Sequence, residues 1–296
     1  MLDLRRLEAL VALHRTGSVS AAAEGLHYGQ PTVSHHLRRL EAETGSVLLQ
    51  RVGRGVRLTP DGVRLAQRGE EILGLVARAE AELAAATSLQ SGRVRLAAFP
   101  SGAATLVPDA LARLARRHPG IELDLTEAEP PEAYELLRDG SIDLALTFGY
   151  PGQPEPEQIT STAILDDPLH LVTAPEAEGQ TAPDLAALAD RPWITGCERC
   201  RRELLALCAD AGFTPAIAYA SDDYVAVQSL VAAGLGVTVL PGLALRAHHR
   251  AGVVRRPLAA HRRVQLSTYG APPRPAAVEA VAAALTAAAS LTAAAD

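Results

Sequence analysis

Residues 18 to 41 read SVSAAAEGLHYGQPTVSHHLRRLE, and this stretch decides the architecture of the N-terminal end. Ser18 or Ser20 can cap a short helix running through Leu26, in which Ala21, Ala22 and Ala23 project nothing beyond Cβ and let another helix approach closely. His27-Tyr28-Gly29 breaks that helix. Gly29 then serves as a permissive N-cap, and Gln30-Pro31 puts proline in the first turn of the next helix, where its missing N–H costs nothing. This third helix, to about Thr44, carries Val33, Leu37 and Leu40 on one side. Thr32, Ser34, His35, His36, Arg38 and Arg39 lie largely on the other. Upstream, Leu4 to Arg15 spaces Leu4, Leu7, Leu10 and Val11 as one apolar helical face behind Asp3, a suitable N-cap.

Two helices joined by a short Gly-containing turn, the second polar at its start and Arg-rich further along, describe a helix-turn-helix. Leu48 to Leu58 adds a strand, a Gly-rich turn bearing Arg54, and a second strand, which together read as a basic wing. Amide, hydroxyl and imidazole groups at the start of the second helix are chemically suited to base edges, and arginines to phosphates. The candidate DNA-contacting residues are therefore Gln30, Pro31, Thr32, Ser34, His35, Arg38, Arg51 and Arg54. The bland alternative is a trihelical core with a solvated polar face.

Charge supports the DNA reading. The chain of 296 residues has a net charge of −6, and all 28 basic residues are Arg. Residues 1–70 carry ten Arg against seven acids (+3), and residues 71–296 carry eighteen against twenty-seven (−9). The basic end is the one suited to a polyanion. From Pro60 a helix is predicted to about Leu89, with Thr59 as cap. Its apolar or small positions Gly62, Leu65, Ala66, Gly69, Ile72, Leu73, Val76, Ala79 and Leu83 form a coiled-coil-like seam. A helix with no domain of its own to cover that seam is expected to pair with a second copy. Ser88 to Gly92 reads as a hinge.

Beyond the hinge, strands and helices alternate: strand Val94–Ala98, helix Thr105–Arg117, strand Ile121–Glu127, helix Glu132–Asp139, strand Ile142–Leu146. After Asp166-Asp167-Pro168 come strand Leu169–Thr173, helix Leu185–Leu188, strand Trp193–Thr195, helix Arg201–Ala211, strand Ile217–Tyr219, helix Tyr224–Ala233 and strand Val237–Leu240. Strand Val264–Tyr269 and helix Ala276–Ala294 close the chain. The fold class is α/β, with a winged head and a long connecting helix. No G-x-S-x-G, P-loop or H-E-x-x-H motif is present, so no enzyme chemistry is expected. Cys197, Cys200 and Cys208 are odd in number and local, which fits a reducing cytoplasm and no disulfide framework. Three cysteines without a nearby histidine fall short of a structural zinc site, and neither metal nor cofactor is expected. Charge interrupts every apolar run near the N-terminus, and alanine dominates the C-terminal helix, so a soluble, unexported chain is expected.

The stretch from Ser18 to Glu41, with Glu43-Thr44-Gly45, Leu48 to Arg51 and Leu58-Thr59-Pro60-Asp61-Gly62, resembles the LysR-type transcriptional regulators, and the similarity of layout extends over the whole chain. Departures are Gly29 for the usual Ser, Leu49 for Phe and His35 for a frequent Arg. The resemblance implies a winged helix-turn-helix over residues 1–59, a dimerisation helix and hinge over 60–92, and an effector domain over 93–296. That domain would be folded like a periplasmic binding protein, with one lobe of 93–165 plus 266–296 and another of 166–265. A transport binding protein would share the lobes but would need a signal peptide and lack the winged head. The resemblance also implies a homodimer or homotetramer on a dyad-symmetric double-stranded DNA site, and a small-molecule effector. Ligands of open α/β lobes sit beyond strand C-termini, which makes Pro100, Ser101, Gly102, Thr147, Phe148, Thr195, Gly196, Cys197 and Asp222 the effector candidates. An alternative is thiol-based redox sensing through Cys200 and Cys208: Cys200 lies near Arg199, Arg201 and Arg202, and the Cys208 region is similar to the second cysteine region of the family's peroxide-sensing branch.

Overall fold

The computed structural model describes residues 2–52, 55–86, 92–153, 156–175, 184–270 and 272–295. Arg54 and residues 88–91 of the expected hinge lie outside them, as does the side chain of Leu83, while Gly92, its last residue, already belongs to a strand. The head is built from α1 (Leu4–Thr16), α2 (Val19–Gly25), α3 (Gln30–Thr44) and the wing strands β1 (Leu49–Val52) and β2 (Gly55–Leu58). Its caps are those the sequence offers: Asp3 accepts from the Arg6 amide at 3.3 Å and Ser18 from the Ala21 amide at 3.1 Å. Leu10, Leu13, Ala22, Ala23, Val33, Leu37 and Leu40 close one core. Glu41 Oε1 accepts from the amides of Leu48 and Leu49, at 2.9 and 3.0 Å, and so fixes where the wing begins.

The connecting helix α4 (Pro60–Ala86) starts as expected, with the Gly62 amide donating to Thr59 Oγ1 at 3.0 Å. Its seam, however, is not left wholly for a second copy. Ala66 belongs to the head's core. A Cβ on Gly62 would stand 2.2 Å from the Leu48 carbonyl oxygen, and one on Gly69 would stand 2.9 Å from Leu7. Glycine lets the helix lie directly on the head. One turn on, a Cβ at Gly74 would meet the Arg138 carbonyl oxygen at 2.5 Å, so α4 also touches the α/β region. Ile72, Leu73 and Val76 stay half-buried, and Leu75 is 55% exposed. The expectation that this helix has nothing of its own to cover is corrected for its first turns.

The α/β region holds a six-stranded sheet ordered β4-β3-β5-β10-β6-β9 and a parallel pair β7-β8. The strands are β3 (Gly92–Ala98), β4 (Ile121–Glu127), β5 (Leu144–Gly149), β6 (Ile159–Thr173), β7 (Pro192–Thr195), β8 (Ala216–Ala220), β9 (Thr238–Pro241) and β10 (Val254–Tyr269). Strand β3 pairs parallel with β4 and β5, and the long strands β6 and β10 pair antiparallel along nearly their whole length. The sequence reading began these two strands about ten residues late, because Asp166-Asp167-Pro168 and Pro257 carry the chemistry of turns. The helices are α5 (Pro100–Arg117), α6 (Pro130–Arg138), α7 (Glu198–Asp210), α8 (Tyr224–Ala232), α9 (Gly242–Ala247) and α10 (Ala276–Ala295). Helix α5 opens five residues before Thr105, with Pro100 at its first position, where no N–H is needed. Helix α7 opens three residues before Arg201, α9 was not anticipated, and residues 186–188 form a single 3₁₀ turn. Helix α10 is long and apolar enough by composition to cross a membrane. Here it buries Val278, Val281, Leu285, Ala288 and Ala289 in the same core as Leu106, Val107 and Ala110 of α5.

Candidate functional site

Two places concentrate chemistry. On the head, Gln30, Pro31, Thr32, His35, Arg38 and Arg39 are exposed along α3, Ser34 is half-buried, and Arg51 is exposed on the wing. Proline and the bare N-cap of Gly29 leave the first amides of α3 without a side-chain partner. The Arg38 guanidinium folds back, its Nε donating to the Ser34 carbonyl at 3.1 Å. The rings of Tyr28 and His36 stand 5.9 Å apart, which bolsters the turn side of α3.

The second place is a cleft where the sheet's strands end. Five helices begin at or beside it. Pro100 and Ser101 come from the start of α5, Glu129 is the N-cap of α6, and Cys197 is the N-cap of α7. Asp222 and Tyr224 flank the N-cap of α8, and Pro241 is the N-cap of α9. Each helix start brings the positive end of its dipole, although the Cys200, Val225 and Leu243 amides already donate to Cys197, Asp223 and Asp167 and α5 and α6 open on proline. The open space is about 60 Å³, enough for a few water-sized groups.

Arg262 on β10 forms one wall of this cleft, and the sequence reading did not single it out. Only 3% of it is exposed. Its Nε donates to Asp167 Oδ2 at 2.9 Å, and Nη2 donates to Ser101 Oγ at 2.8 Å. The guanidinium lies 4.7 Å from the Phe99 ring centre and 4.5 Å from that of Phe148. Asp167 Oδ1 in turn accepts from the Leu243 amide at 3.0 Å, at the start of α9. Burial is the strongest single influence and would lower the Arg262 pKa, but the charge of Asp167, the neighbouring Tyr150 and Cys200 and the hydrogen bond to Asp167 together hold the group above its ordinary value.

Glu129 has one carboxyl oxygen, Oε2, that is buried without a hydrogen-bond partner. Burial, reinforced by Cys197, pushes its pKa up to about 8. Facing it across the cleft, Cys197 Sγ and Cys200 Sγ stand 3.1 Å apart, and Tyr150 Oη donates to Cys200 Sγ at 3.6 Å. Burial pushes the Tyr150 hydroxyl well above its usual range.

Of the expected effector residues, Pro100, Ser101, Gly196, Cys197 and Asp222 line the cleft together. The others do not. Thr147 is fully buried and spent on Ser267 Oγ at 2.7 Å, a consequence of strand alternation turning it to the opposite face from Phe148. Phe148 is core, lying beneath Arg262. Gly102 is a packing position, where a Cβ would meet Leu146 at 2.7 Å. Thr195 is buried at the end of β7 with no partner for Oγ1. Glu129, Cys200, Ser221 and Arg262 were missed as cleft residues. The period-2 alternation through Asp167 and Arg262 could have flagged the last as inward-facing, had the turn-like residues not hidden the strand. Cys208 packs with Trp193 and Leu204 in a separate core. Eight residues of α-helix put it about 12 Å from Cys200, so a bond between those two requires α7 to unwind.

Comparison with known proteins bears on both places. Residues 4–63 match the family model of the bacterial regulatory helix-turn-helix proteins of the lysR family, and residues 87–290 match that of the LysR substrate binding domain. YcgK of Bacillus subtilis, an uncharacterized HTH-type transcriptional regulator, is 30% identical over 271 residues, covering 83% of this chain and 82% of its own. A probable hydrogen peroxide-inducible genes activator of Mycobacterium avium is 33% identical over 241 residues, covering 79% and 76%. A full-length OxyR variant from Pseudomonas aeruginosa superimposes with a TM-score of 0.69 at 24% identity, covering 96% of this chain and 95% of its own. CbnR in complex with its target DNA gives 0.65 at 23% identity, covering 97% and 100%. At these identities the two structures speak to the fold.

The Glu129 geometry makes a pH prediction. In the unfolded chain its carboxyl ionises near the ordinary value, whereas the folded protein keeps the proton up to about 8. Folded stability contributed by this group is therefore full at low pH and is lost as pH rises to about 8. Relative to Glu129→Gln, the wild type should lose roughly 2–4 kcal/mol between pH 5 and pH 8 in urea unfolding. Parallel pH profiles for the two proteins would contradict this.

Proposed function

The chain belongs to the LysR family of DNA-binding transcriptional regulators with an effector-binding domain, and from that premise we propose how each part of it works. Gln30, Pro31, Thr32, Ser34 and His35 enter a major groove of double-stranded DNA. Arg38, Arg51 and Arg54 hold the phosphate backbone beside it. A second copy covers the exposed apolar side of α4 around Ile72 and Leu75, so that two heads, as a homodimer or a homotetramer, meet a dyad-symmetric site. The domain division expected from the sequence, head over 1–59, connector over 60–92 and sensor over 93–296, is kept as the working frame. The protein acts in the cytoplasm, where such a site is found.

The cleft is read as a sensor and not as an active site, and its effector as a small anionic or polar molecule. One observation carries this: five helix N-termini converge on a single cleft, which favours groups rich in acceptors. Arg262 supplies no free charge, since Asp167 already occupies it. Backbone amides and the neutral Glu129 carboxyl are what remains to bind a ligand. The effector shifts the arrangement of the lobes only by its differential affinity for the two arrangements.

Two experiments test these assignments. Arg51→Ala should weaken binding to specific and random duplexes alike and reduce the slope of log affinity against log salt by about 1. His35→Ala should chiefly relax sequence preference; unchanged selectivity would remove it from the reading face. For the cleft, a panel of small mono- and dicarboxylates should contain at least one that raises the melting temperature of the full chain. Ser101→Ala should cut that rise by more than half. A panel member that stabilises both proteins equally would place the effector elsewhere.

A further inference from the structure

We propose that the pocket around Arg199, on the other side of Tyr150 from the effector cleft, is a second ligand site that binds a compact oxyanion: inorganic sulfate or phosphate, or the carboxylate of a small acid. This site is independent of the effector's identity, because Arg199 lines its own pocket and not the cleft.

Arg199 is the second residue of α7, directly after Glu198. A cation in the first turn of a helix faces the positive end of the dipole, so the position disfavours it. It is also half-buried. Its Nη2 donates to a neutral partner, Gln153 Oε1 at 2.7 Å, and its Nε is buried with no partner. Among the described residues no carboxylate pairs with it. Arg262 offers a direct contrast, since both guanidinia lie near the ring of Phe148, at 5.8 and 4.5 Å from its centre. Asp167 neutralises Arg262. Arg199 has no such counter-charge, and an anion would supply both the charge and the missing acceptor.

The pocket has the size and the lining for such a group. It encloses about 80 Å³ between the turn after β5 and the start of α7, room for a few non-hydrogen atoms. Gln153, Gln265 and Tyr150 line it together with Arg199, and no aspartate or glutamate does among the described residues. Arg263 lines it as well, half-exposed and only loosely paired with Asp166, at 3.7 Å. Gly149 keeps the wall bare, for even a Cβ there would stand 3.6 Å from Arg199 Nη2 and 3.7 Å from Gln265 Oε1. Two oxygens of one anion can accept from the Arg199 fork, at Nε and a terminal N–H, and the Gln153 amide can donate beside it. A bound anion thus joins the turn after β5 to the first turn of α7. That same helical turn carries Cys197 and Cys200, which line the effector cleft, so occupancy braces one wall of the cleft from behind.

The test titrates the full chain with sodium sulfate, sodium phosphate and sodium acetate by calorimetry, each against sodium chloride at matched ionic strength. Melting temperatures are read in parallel. At least one of the three should bind saturably, with a dissociation constant in the millimolar range or below, and the one that binds most tightly names the source of the oxyanion. Arg199→Gln should weaken that binding by about tenfold or more, the loss expected of a charged hydrogen-bonding partner. Gln153→Glu sets a carboxylate against the guanidinium; it should raise the melting temperature and abolish the anion response. Ser101→Ala should bind the anion as the wild type does, which separates this site from the cleft. A rise in melting temperature that never saturates and is equal in Arg199→Gln is the general effect of excluded salts and would overturn the proposal. So would wild-type affinity in Gln153→Glu, or binding lost in Ser101→Ala and kept in Arg199→Gln. Circular dichroism checks the fold of each variant, and Gln153→Glu decides the matter should Arg199→Gln not fold.

Discussion

The pairing of Arg262 with Asp167 is the constraint on which the α/β region depends. Both residues sit on long strands that pass side by side through the middle of the sheet, and they are partners in its register. Their side chains are 3% and 2% exposed. A charge buried so deeply is tolerated only with a partner and with its remaining hydrogen-bonding positions filled. Ser101 fills one on the arginine and the Leu243 amide fills one on the aspartate. The pair thereby ties β6 and β10 to the starts of α5 and α9. The guanidinium packs on Phe99 and Phe148, whose rings meet edge to face 5.1 Å apart, and they shield it from water.

The cleft follows from that knot. Because Arg262 is committed inward, the cleft presents backbone amides, a protonated Glu129 and two thiols in place of a free cation. The arginine's field still reaches Cys200 and favours its thiolate. The α/β region also approaches the head and its connecting helix closely. Gly74 of α4 packs against the end of α6, and Arg15 of α1 binds both Glu70 of α4, at 3.0 Å, and Asp139 after α6. Head, connector and α/β region are therefore in contact within one chain.

The head was almost fully legible in the sequence, since every cap and break there is local: Asp3, Ser18, Gly29-Gln30-Pro31 and Thr59 each act within four residues. The α/β region was legible where strands are short and apolar, as at Val94–Ala98. It was not legible where charged and proline residues run through long strands, because their satisfaction comes from partners some ninety residues away. Asp167 reads as a turn residue until Arg262 is known to face it. The same non-locality explains the site. Ser101 and Cys197 follow from the rule that ligands gather beyond strand ends, whereas Glu129 and Arg262 arrive by tertiary packing. Thr147 lies away from the cleft for a local reason, as strand alternation turns it to the far face.

A double-mutant cycle on the buried pair tests the account most directly. Denaturant unfolding of Arg262→Met, Asp167→Leu and the double variant would be compared with that of the wild type. Each single change leaves one buried charge without its partner and should cost about 3–5 kcal/mol, while the double variant should cost clearly less than either single one. Single variants that each lose under about 1 kcal/mol, as exposed ion pairs do, or a double variant whose loss equals their sum, would contradict the claim that this pair holds the sheet and its cleft together.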